Sequence, residues 1–308
     1  MREKPVLKPL GEQSIVVTGA TSGVGLATVR RAARAGARVF LIARGERDLR
    51  ALCEELQAQG ARVAWAVADV ADPEALKAAV EKCVRLFGGF DTWVNNAGVG
   101  MFGSIRETRL EDQRRLFETN YWGVVNGSLA AAEHLRTRPG GGAIINVGSI
   151  LSDLPLPVQG VYAASKHAVK GFTNALRIEL MREQAPVTVS RVKPGAIDTP
   201  YSRHARNLTG QAVHNPQPVY ATHVVADTIL DCAAHPNREG RDLLQEHDAA
   251  GKQFHKDFIG IVRESGSGWV DYMFPRPRRS TPEVKWSYVC ATTVEDVPAL
   301  VGAGVYVE

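Results

Sequence analysis

From Ser14 to about Val192 the chain alternates short β-branched runs with longer, Ala-rich amphipathic ones. This alternation constrains the fold more than any other feature. The strand-like runs are Ser14–Thr18, Arg38–Ala43, Arg62–Ala66, Thr92–Asn95, Ala143–Val147 and Val187–Val192. Between them fall helical segments at Val24–Ala35, Glu46–Gln59, Pro73–Phe87, a pair between Arg109 and Arg138, and Gly160–Arg182. Apolar residues recur with helical spacing in the longer runs and fill the shorter ones almost continuously. Asp72 followed by Pro73 makes a good helix start, an N-cap with proline in the first turn. Gly36, Gly60 and Gly88 each stand where a helix C-terminus favours glycine. Strict β–α alternation implies an α/β fold, a parallel sheet covered by helices on both faces. Right-handed crossovers then make that sheet doubly wound.

The pattern changes after Pro200. Tyr201–Pro218 reads as a loop or short helix, and Ala221–Ala234 as an amphipathic helix. Beyond His235–Asp242 the alternation stops: Gly251–Glu264 looks helical, and Gly268–Met273, Val284–Cys290 and Val301–Val307 look like strands. A small C-terminal α+β extension is therefore expected. The 308 residues exceed what one nucleotide-binding domain needs and fall short of two full domains. With 44% hydrophobic and 23% charged residues the chain is ordinary globular material, which excludes intrinsic disorder. A net charge of +4 is too mild to argue for nucleic acid. No apolar run approaches the ~20 residues of a membrane span. No signal-peptide-like run follows Arg2, Lys4 and Lys8. Cys53, Cys83, Cys232 and Cys290 are widely spaced and read as reduced thiols, and the histidines show no ligand spacing. A cytoplasmic protein without a metal site is expected.

The first strand runs into Thr18-Gly19-Ala20-Thr21-Ser22-Gly23-Val24-Gly25 and opens a helix. Glycines here permit a tight turn and close approach of backbone to a pyrophosphate, and the helix N-terminus supplies N–H donors. Many strand-to-helix turns use glycine for local reasons, but this one has the strand–turn–helix context of a dinucleotide site. Together with later residues it resembles the short-chain dehydrogenase/reductase family, over about Ser14 to His235. Asn95-Asn96-Ala97-Gly98 is similar to that family's NNAG, and Lys193-Pro194-Gly195 with Thr199 to its PG motif. The resemblance implies a Rossmann-type sheet and a nicotinamide cofactor. It assigns the adenine contact to Asp69, has Asn96, Ala97 and Gly98 steady the sheet and line the cofactor, gives the nicotinamide carboxamide to Thr199, and counts Val70, Pro194, Gly195 and Ile197 among the cofactor-binding residues. The turn residues Gly19, Thr21, Ser22, Gly23, Val24 and Gly25 would hold the phosphates. Ala43 stands where NAD-preferring enzymes commonly place an acid, and Arg44 follows it. A guanidinium there suits a 2′-phosphate, so NADP(H) is expected over NAD(H), although Ser22 replaces a second basic residue common in NADP-using relatives.

Tyr162-Ala163-Ala164-Ser165-Lys166 places a phenol and an ammonium on one helix face. A free tyrosine titrates near pH 10, and a nearby cation favours the phenolate. Each residue has a bland reading alone: a solvated face, a turn cap, a satisfied amide. In the family's order, the resemblance makes Tyr162 the general acid/base. Lys166 then holds the cofactor ribose and tunes the phenol, Ser149 bonds the substrate oxygen, and Asn120 supports a proton relay. The implied reaction is hydride transfer between nicotinamide and a carbonyl or secondary alcohol. Leu151, Leu154, Leu156, Val158 and the Tyr201–Pro218 loop should shape the substrate pocket; Arg203 and Arg206 could reach an anion or simply be solvated. Relatives pair through helices matching Val124–Arg138 and Gly160–Arg182, so a homodimer or homotetramer is implied.

The division expected is thus a tail at residues 1–13, a reductase domain at 14–236 and an extension at 237–308. The extension carries Gly268-Trp269-Val270-Asp271-Tyr272, Lys285-Trp286-Ser287-Tyr288-Val289 and Val301-Gly302-Ala303-Gly304-Val305-Tyr306. These resemble the C-terminal half of a Cache sensor module. Two readings stay open. Trp269, Asp271, Tyr272 and Lys285 could contact a small ligand such as a carboxylate, with the whole a nucleotide-bound sensor; or the aromatics could pack a small structural sheet.

Overall fold

The computed structural model describes residues 5–213, 215–216, 219–234, 252, 257, 267–275, 282–294 and 297–306. The chain divides into two compact units, Met1–Pro236 and Asn237–Glu308. The first unit begins β1 (Ser14–Thr18), α1 (Gly23–Arg34), β2 (Arg38–Ala43), α2 (Glu46–Ala58), β3 (Val63–Val67), α3 (Pro73–Phe87) and β4 (Thr92–Asn95). It continues with a two-residue strand β5 (Met101–Phe102), α4 (Leu110–Phe117), a π-turn at Glu118–Trp122, α5 (Gly123–Arg136) and β6 (Gly142–Val147). A short 3-10 turn at Ile150–Ser152, α6 (Gly160–Arg182), β7 (Val187–Val192), α7 (Tyr201–His204), a second two-residue strand β8 (Arg206–Asn207) and α8 (Thr222–Ala234) complete it.

Six strands form one parallel sheet in the order β3-β2-β1-β4-β6-β7. The α/β doubly wound architecture expected from the alternation is the one found. The chain starts in the middle and winds outward in both directions. The carboxyl ends of β1 and β4 therefore flank a switch point, where open α/β sheets leave a crevice.

Alternation along the strands sorts side chains onto two cores. Ile15, Val17, Val39 and Leu41 face one way, into a cluster with Val29, Leu49 and Ile229 of α1, α2 and α8. Val16, Phe40, Ile42, Trp93 and Ile144 face the other way, against Leu76, Leu135 and Leu176 of α3, α5 and α6. A sheet buried on both faces needs apolar residues at nearly every strand position, which is why the strand runs are almost continuous. Local chemistry sets the helix limits. The Asp72 side chain accepts from the backbone N–H groups of Glu74 and Ala75 at 3.0 and 3.1 Å, and α3 ends on Gly88 at φ 73°.

Two polar networks lock the layers. Trp93 Nε1 donates to Asn95 Oδ1 at 2.7 Å; Asn95 Nδ2 donates to Ser128 Oγ and to Asn146 Oδ1 at 2.9 and 2.8 Å; Asn146 Nδ2 donates to Thr173 Oγ1 at 2.9 Å. This chain crosses from β4 and β6 to α5 and α6 with its buried amides satisfied. The second lies at the amino-end rim, where the buried carboxylate of Asp91 accepts from Lys8 Nζ at 2.7 Å, Arg138 at 3.0 Å and the Ser14 N–H at 2.8 Å.

The second unit contains an antiparallel sheet of β9 (Ser267–Pro275), β10 (Pro282–Val294) and β11 (Val297–Tyr306), ordered β11-β10-β9. Its register sets Lys285 opposite Tyr272 and Asp271 opposite Trp286. Period-two alternation puts register positions 269 and 271 on one face, and 272 and 285 on the other. The helix expected at Gly251–Glu264 lies outside the described residues, apart from Lys252 and Asp257.

Candidate active site

The turn after β1 is shaped by what glycine leaves out. Gly19 has φ 65°, and a Cβ there would stand 2.8 Å from the Ala97 Cα. A Cβ on Gly25 would lie 2.2 Å from the Gly19 carbonyl oxygen. Neither position accepts a side chain without moving backbone. The freed space lets the stretch after β4 press onto the turn. Asn96 Nδ2 donates to the carbonyls of Thr18 and Gly19 at 3.0 and 3.2 Å, while the N–H groups of Asn96 and Ala97 donate to Thr18 Oγ1 at 3.0 and 3.1 Å. Ser22 sits at the N-cap of α1 without a capping side-chain hydrogen bond. The first N–H groups of α1 thus lack the usual side-chain acceptor and suit an anion.

A cavity of about 270 Å³ runs from this turn across the carboxyl ends of the strands. Gly19, Ser22, Gly23 and Val24 line one end, and Asn96, Ala97 and Gly98 line the floor. Ser149, Tyr162 and Lys166 line the far end; Pro194, Gly195, Ile197 and Thr199 close the side. The glycine cradle and the uncapped helix end fit a pyrophosphate, so the residues present fit a dinucleotide.

The remaining expected residues stand off the cavity. Thr21 lies on the turn and Gly25 is buried within α1. Arg44 is exposed just past β2. Asp69 lies two positions beyond β3, its carboxylate taking Arg115 at 2.5 Å and the Ala71 N–H at 3.0 Å. Desolvation pushes its pKa up, but these bonds and the charges of Arg115 and Arg44 hold it below the usual carboxylate range. Val70 is buried beneath Gly123, where an added Cβ would meet its Cγ2 at 2.5 Å. Asn120 is fully buried in the π-turn: its Oδ1 accepts from the Val99 N–H at 2.8 Å, and its Nδ2 donates to Val99 O at 3.0 Å and Ser165 Oγ at 3.3 Å. Of the pocket residues expected, Leu151 and Leu156 line the cavity, while Leu154 and Val158 face solvent. Arg206 pairs with Asp112 at 2.5 Å, so an anion-binding role is not where its charge is spent.

The electrostatics differ from the simple expectation of a lysine lowering a tyrosine. Lys166 Nζ donates to the Val147 carbonyl at 2.9 Å, and burial lowers its pKa to about 8. Burial also pushes the Tyr162 phenol up to about 12, against hydrogen bonds with Ser149 and Tyr201 that favour the phenolate. Desolvation dominates both groups because each is packed among protein atoms on the cavity wall, Lys166 buried and Tyr162 partly exposed. Sequence reasoning missed Tyr201. Its ring stands 5.5 Å from that of Tyr162 at an interplanar angle of 66°. The loop holding it was legible as pocket-forming; nothing in its local pattern marked this residue.

Residues 13–209 match the family model described as short chain dehydrogenase. The chain belongs to the short-chain dehydrogenase family. It is thus an oxidoreductase of a family acting on CH–OH or C=O groups. It is 45% identical over 240 residues to the uncharacterized oxidoreductase YxnA of Bacillus subtilis, covering 78% of this chain and 67% of that one. It is 36% identical over 196 residues to the putative oxidoreductase SadH of Mycobacterium tuberculosis, covering 64% and 71%. Among solved structures, a short-chain dehydrogenase of Burkholderia cenocepacia in complex with NADP matches with a TM-score of 0.64 and 31% identity, covering 76% of this chain and 95% of that one. An alcohol dehydrogenase of the archaeon Thermococcus sibiricus complexed with 5-hydroxy-NADP matches with a TM-score of 0.62 and 27% identity, covering 70% and 88%. Residues 223–308 match a Cache domain model, which confirms that resemblance and extends it back into α8.

Proposed function

We propose that this short-chain dehydrogenase uses NADP(H) to interconvert a carbonyl compound and a secondary alcohol, with residues 14–236 as the catalytic domain and 237–308 as an appended module. The observation that carries this reading is the single cavity joining the glycine cradle to Ser149, Tyr162 and Lys166. Support for NADP(H) comes from Arg44 at the end of β2, where Ala43 leaves no acid for a ribose 2′-hydroxyl, and from the NADP bound in one similar structure. Gly19, Thr21, Ser22, Gly23, Val24 and Gly25 would hold the phosphates, and the Pro194–Thr199 stretch the nicotinamide end. When bound, the cofactor supplies or accepts the hydride.

Tyr162 gives its phenolic proton to the substrate oxygen on reduction and takes one from the alcohol on oxidation. Ser149 Oγ bonds the same oxygen as charge develops on it. The Lys166 ammonium, 5.8 Å from the centre of the Tyr162 ring, would reach the cofactor ribose. Asn120 fixes the loop after β4 against α6 and supports the proton relay. The apolar walls given by Leu151, Leu156 and Phe102 suit an uncharged substrate body. Exposed Leu129 on α5 and Ile178 and Met181 on α6 support pairing of two or four copies through these helices.

A panel of ketones and secondary alcohols assayed with NADPH and NADH tests the reading. Turnover with NADPH at least tenfold above NADH is expected, and Tyr162→Phe should lower it ~10²-fold or more while folding normally. A folded Tyr162→Phe protein with full turnover, or a strong preference for NADH, overturns it.

The Cache match favours a second reading, a ligand-sensing tail that binds a small carboxylate. The division of Trp269 and Asp271 from Tyr272 and Lys285 across two sheet faces favours the structural role instead.

A further inference from the structure

We propose that Tyr201 is a positioning residue for proton transfer, donating its hydroxyl proton to the oxygen of Tyr162 and steadying the phenolate left there once Tyr162 has given its own proton away. This rests on the reading of Tyr162 as the acid/base.

The placement of Tyr201 is built rather than incidental. Gly100 leaves bare backbone behind the ring: a Cβ there would stand 2.5 Å from Tyr201 Cζ and 2.7 Å from its hydroxyl oxygen. Phe102 meets the ring edge-on at 5.8 Å. The loop carrying it is clamped down on both sides of β8, by Arg206 N–H donating to Gly100 O at 3.1 Å and Leu208 N–H to Phe102 O at 2.7 Å. The Arg206 pair with buried Asp112, which also holds Arg109 at 3.2 Å, closes the clamp.

Direction comes from Gln159. Its Nε2 donates to the Tyr201 oxygen at 3.4 Å, so the Tyr201 proton is left for the other neighbour, Tyr162. Gln159 follows Val158, whose φ of 57° is left-handed, a costly conformation for a β-branched residue. The Val158 carbonyl accepts from the Gly103 N–H at 2.8 Å, which holds that strained link in place. The chain runs Gln159 to Tyr201 to Tyr162, each step an N–H or O–H donated toward the site.

The titratable side chains lining the cavity are Tyr162 and Lys166 of α6 and Tyr201 and His204 of α7; no carboxylate lines it among the described residues. Burial raises the Tyr201 phenol, with the bond to Tyr162 acting in the same direction. Tyr201 therefore stays a donor across the working range, while Lys166, lowered by burial, supplies the cationic titration that any profile must separate.

The test uses the full chain with NADP⁺ and a secondary alcohol turned over in the screen above, with kcat and KM measured from about pH 6 to about pH 10. Tyr201→Phe should lower kcat about three- to tenfold near neutrality, the worth of one hydrogen bond, with KM within about twofold. The loss should shrink as pH rises, because the acidic limb, set by deprotonation of Tyr162, moves up by roughly half to one unit. Gln159→Leu should move the limb the same way by less, and it remains informative if Tyr201→Phe does not fold. An unshifted limb in either folded variant, with the loss carried by KM, makes Tyr201 a pocket wall and overturns the proposal. A faster Tyr201→Phe enzyme, marking a ring that blocks substrate, also overturns it. Tyr162→Phe separates the two claims: if it keeps turnover, the acid/base reading fails; if it is inactive while Tyr201→Phe is unshifted, only the role of Tyr201 fails.

Discussion

Arg44 is the residue on which cofactor choice turns. It is exposed beyond β2, and its charge reaches Asp69 across the same end of the sheet. A guanidinium bonding a phosphate is worth about 1.5–3 kcal/mol, or roughly ten- to a hundredfold. Arg44→Ala should therefore raise the NADPH KM at least tenfold and leave the NADH KM within about twofold, as initial-rate assays would report. Equal losses with both cofactors would assign Arg44 to general cofactor attraction. At this scale legibility followed sequence distance. Tyr162 and Lys166 could be placed together because four helical residues bring side chains to one face. The pairing of Gln159 with Tyr201 spans 42 positions and depends on how two loops meet, which no local period encodes. The expected lowering of the Tyr162 pKa failed for a related reason: spacing reveals the neighbouring cation but not the desolvation by the packing around both groups.

Elements were legible wherever local chemistry set their limits. β1, β2, β4, β7, α3 and α6 fall where apolar runs, caps and glycine stops put them. β3 slides by one residue, because Arg62 precedes the first position that pairs with β2 at Val63. The β5–β8 pairing and the π-turn were illegible: two-residue strands have no period to read, and their partners are distant. The strand starts carry a further consequence. Desolvation raises the Asp91 pKa, but bonds from Lys8 and the Ser14 N–H, with the charges of Arg138 and Lys8, bring it below the ordinary carboxylate value. A carboxyl depressed on folding adds stability above its unfolded pKa of about 3.9 and loses it as pH falls through the folded value. The melting temperature should thus drop on acidification below about pH 4, and Asp91→Asn should flatten that part of the profile. At neutral pH Asp91→Asn should cost about 3 kcal/mol in denaturant unfolding, since Lys8 and Arg138 lose their shared partner. A loss under about 0.5 kcal/mol would reduce the network to surface pairing.

At the level of the whole molecule, α8 decides how the chain can be cut. The Cache match begins at residue 223, yet Val225, Ile229, Leu230 and Ala233 of that helix close a core with α1, and Asp227 binds Arg31 through both carboxylate oxygens. Truncation after Asp248 keeps that helix. It should leave the melting temperature within a few degrees and turnover within about threefold if the tail is a separable sensor. Lost folding or altered oligomer size, read by calorimetry and sedimentation, would make the tail structural. Truncation ahead of Thr222 should fail to fold in either case. The parallel sheet has one more consequence. Every strand points its carboxyl end at the cavity, while the Asp91 network sits at the opposite rim. Substitutions should therefore sort by rim, those near the loops changing rate and selectivity and those near the strand starts changing melting. A library confined to the upper loops could explore new substrates while leaving the scaffold's tolerance almost untouched, so the fold offers its own separation between what can vary and what must stay.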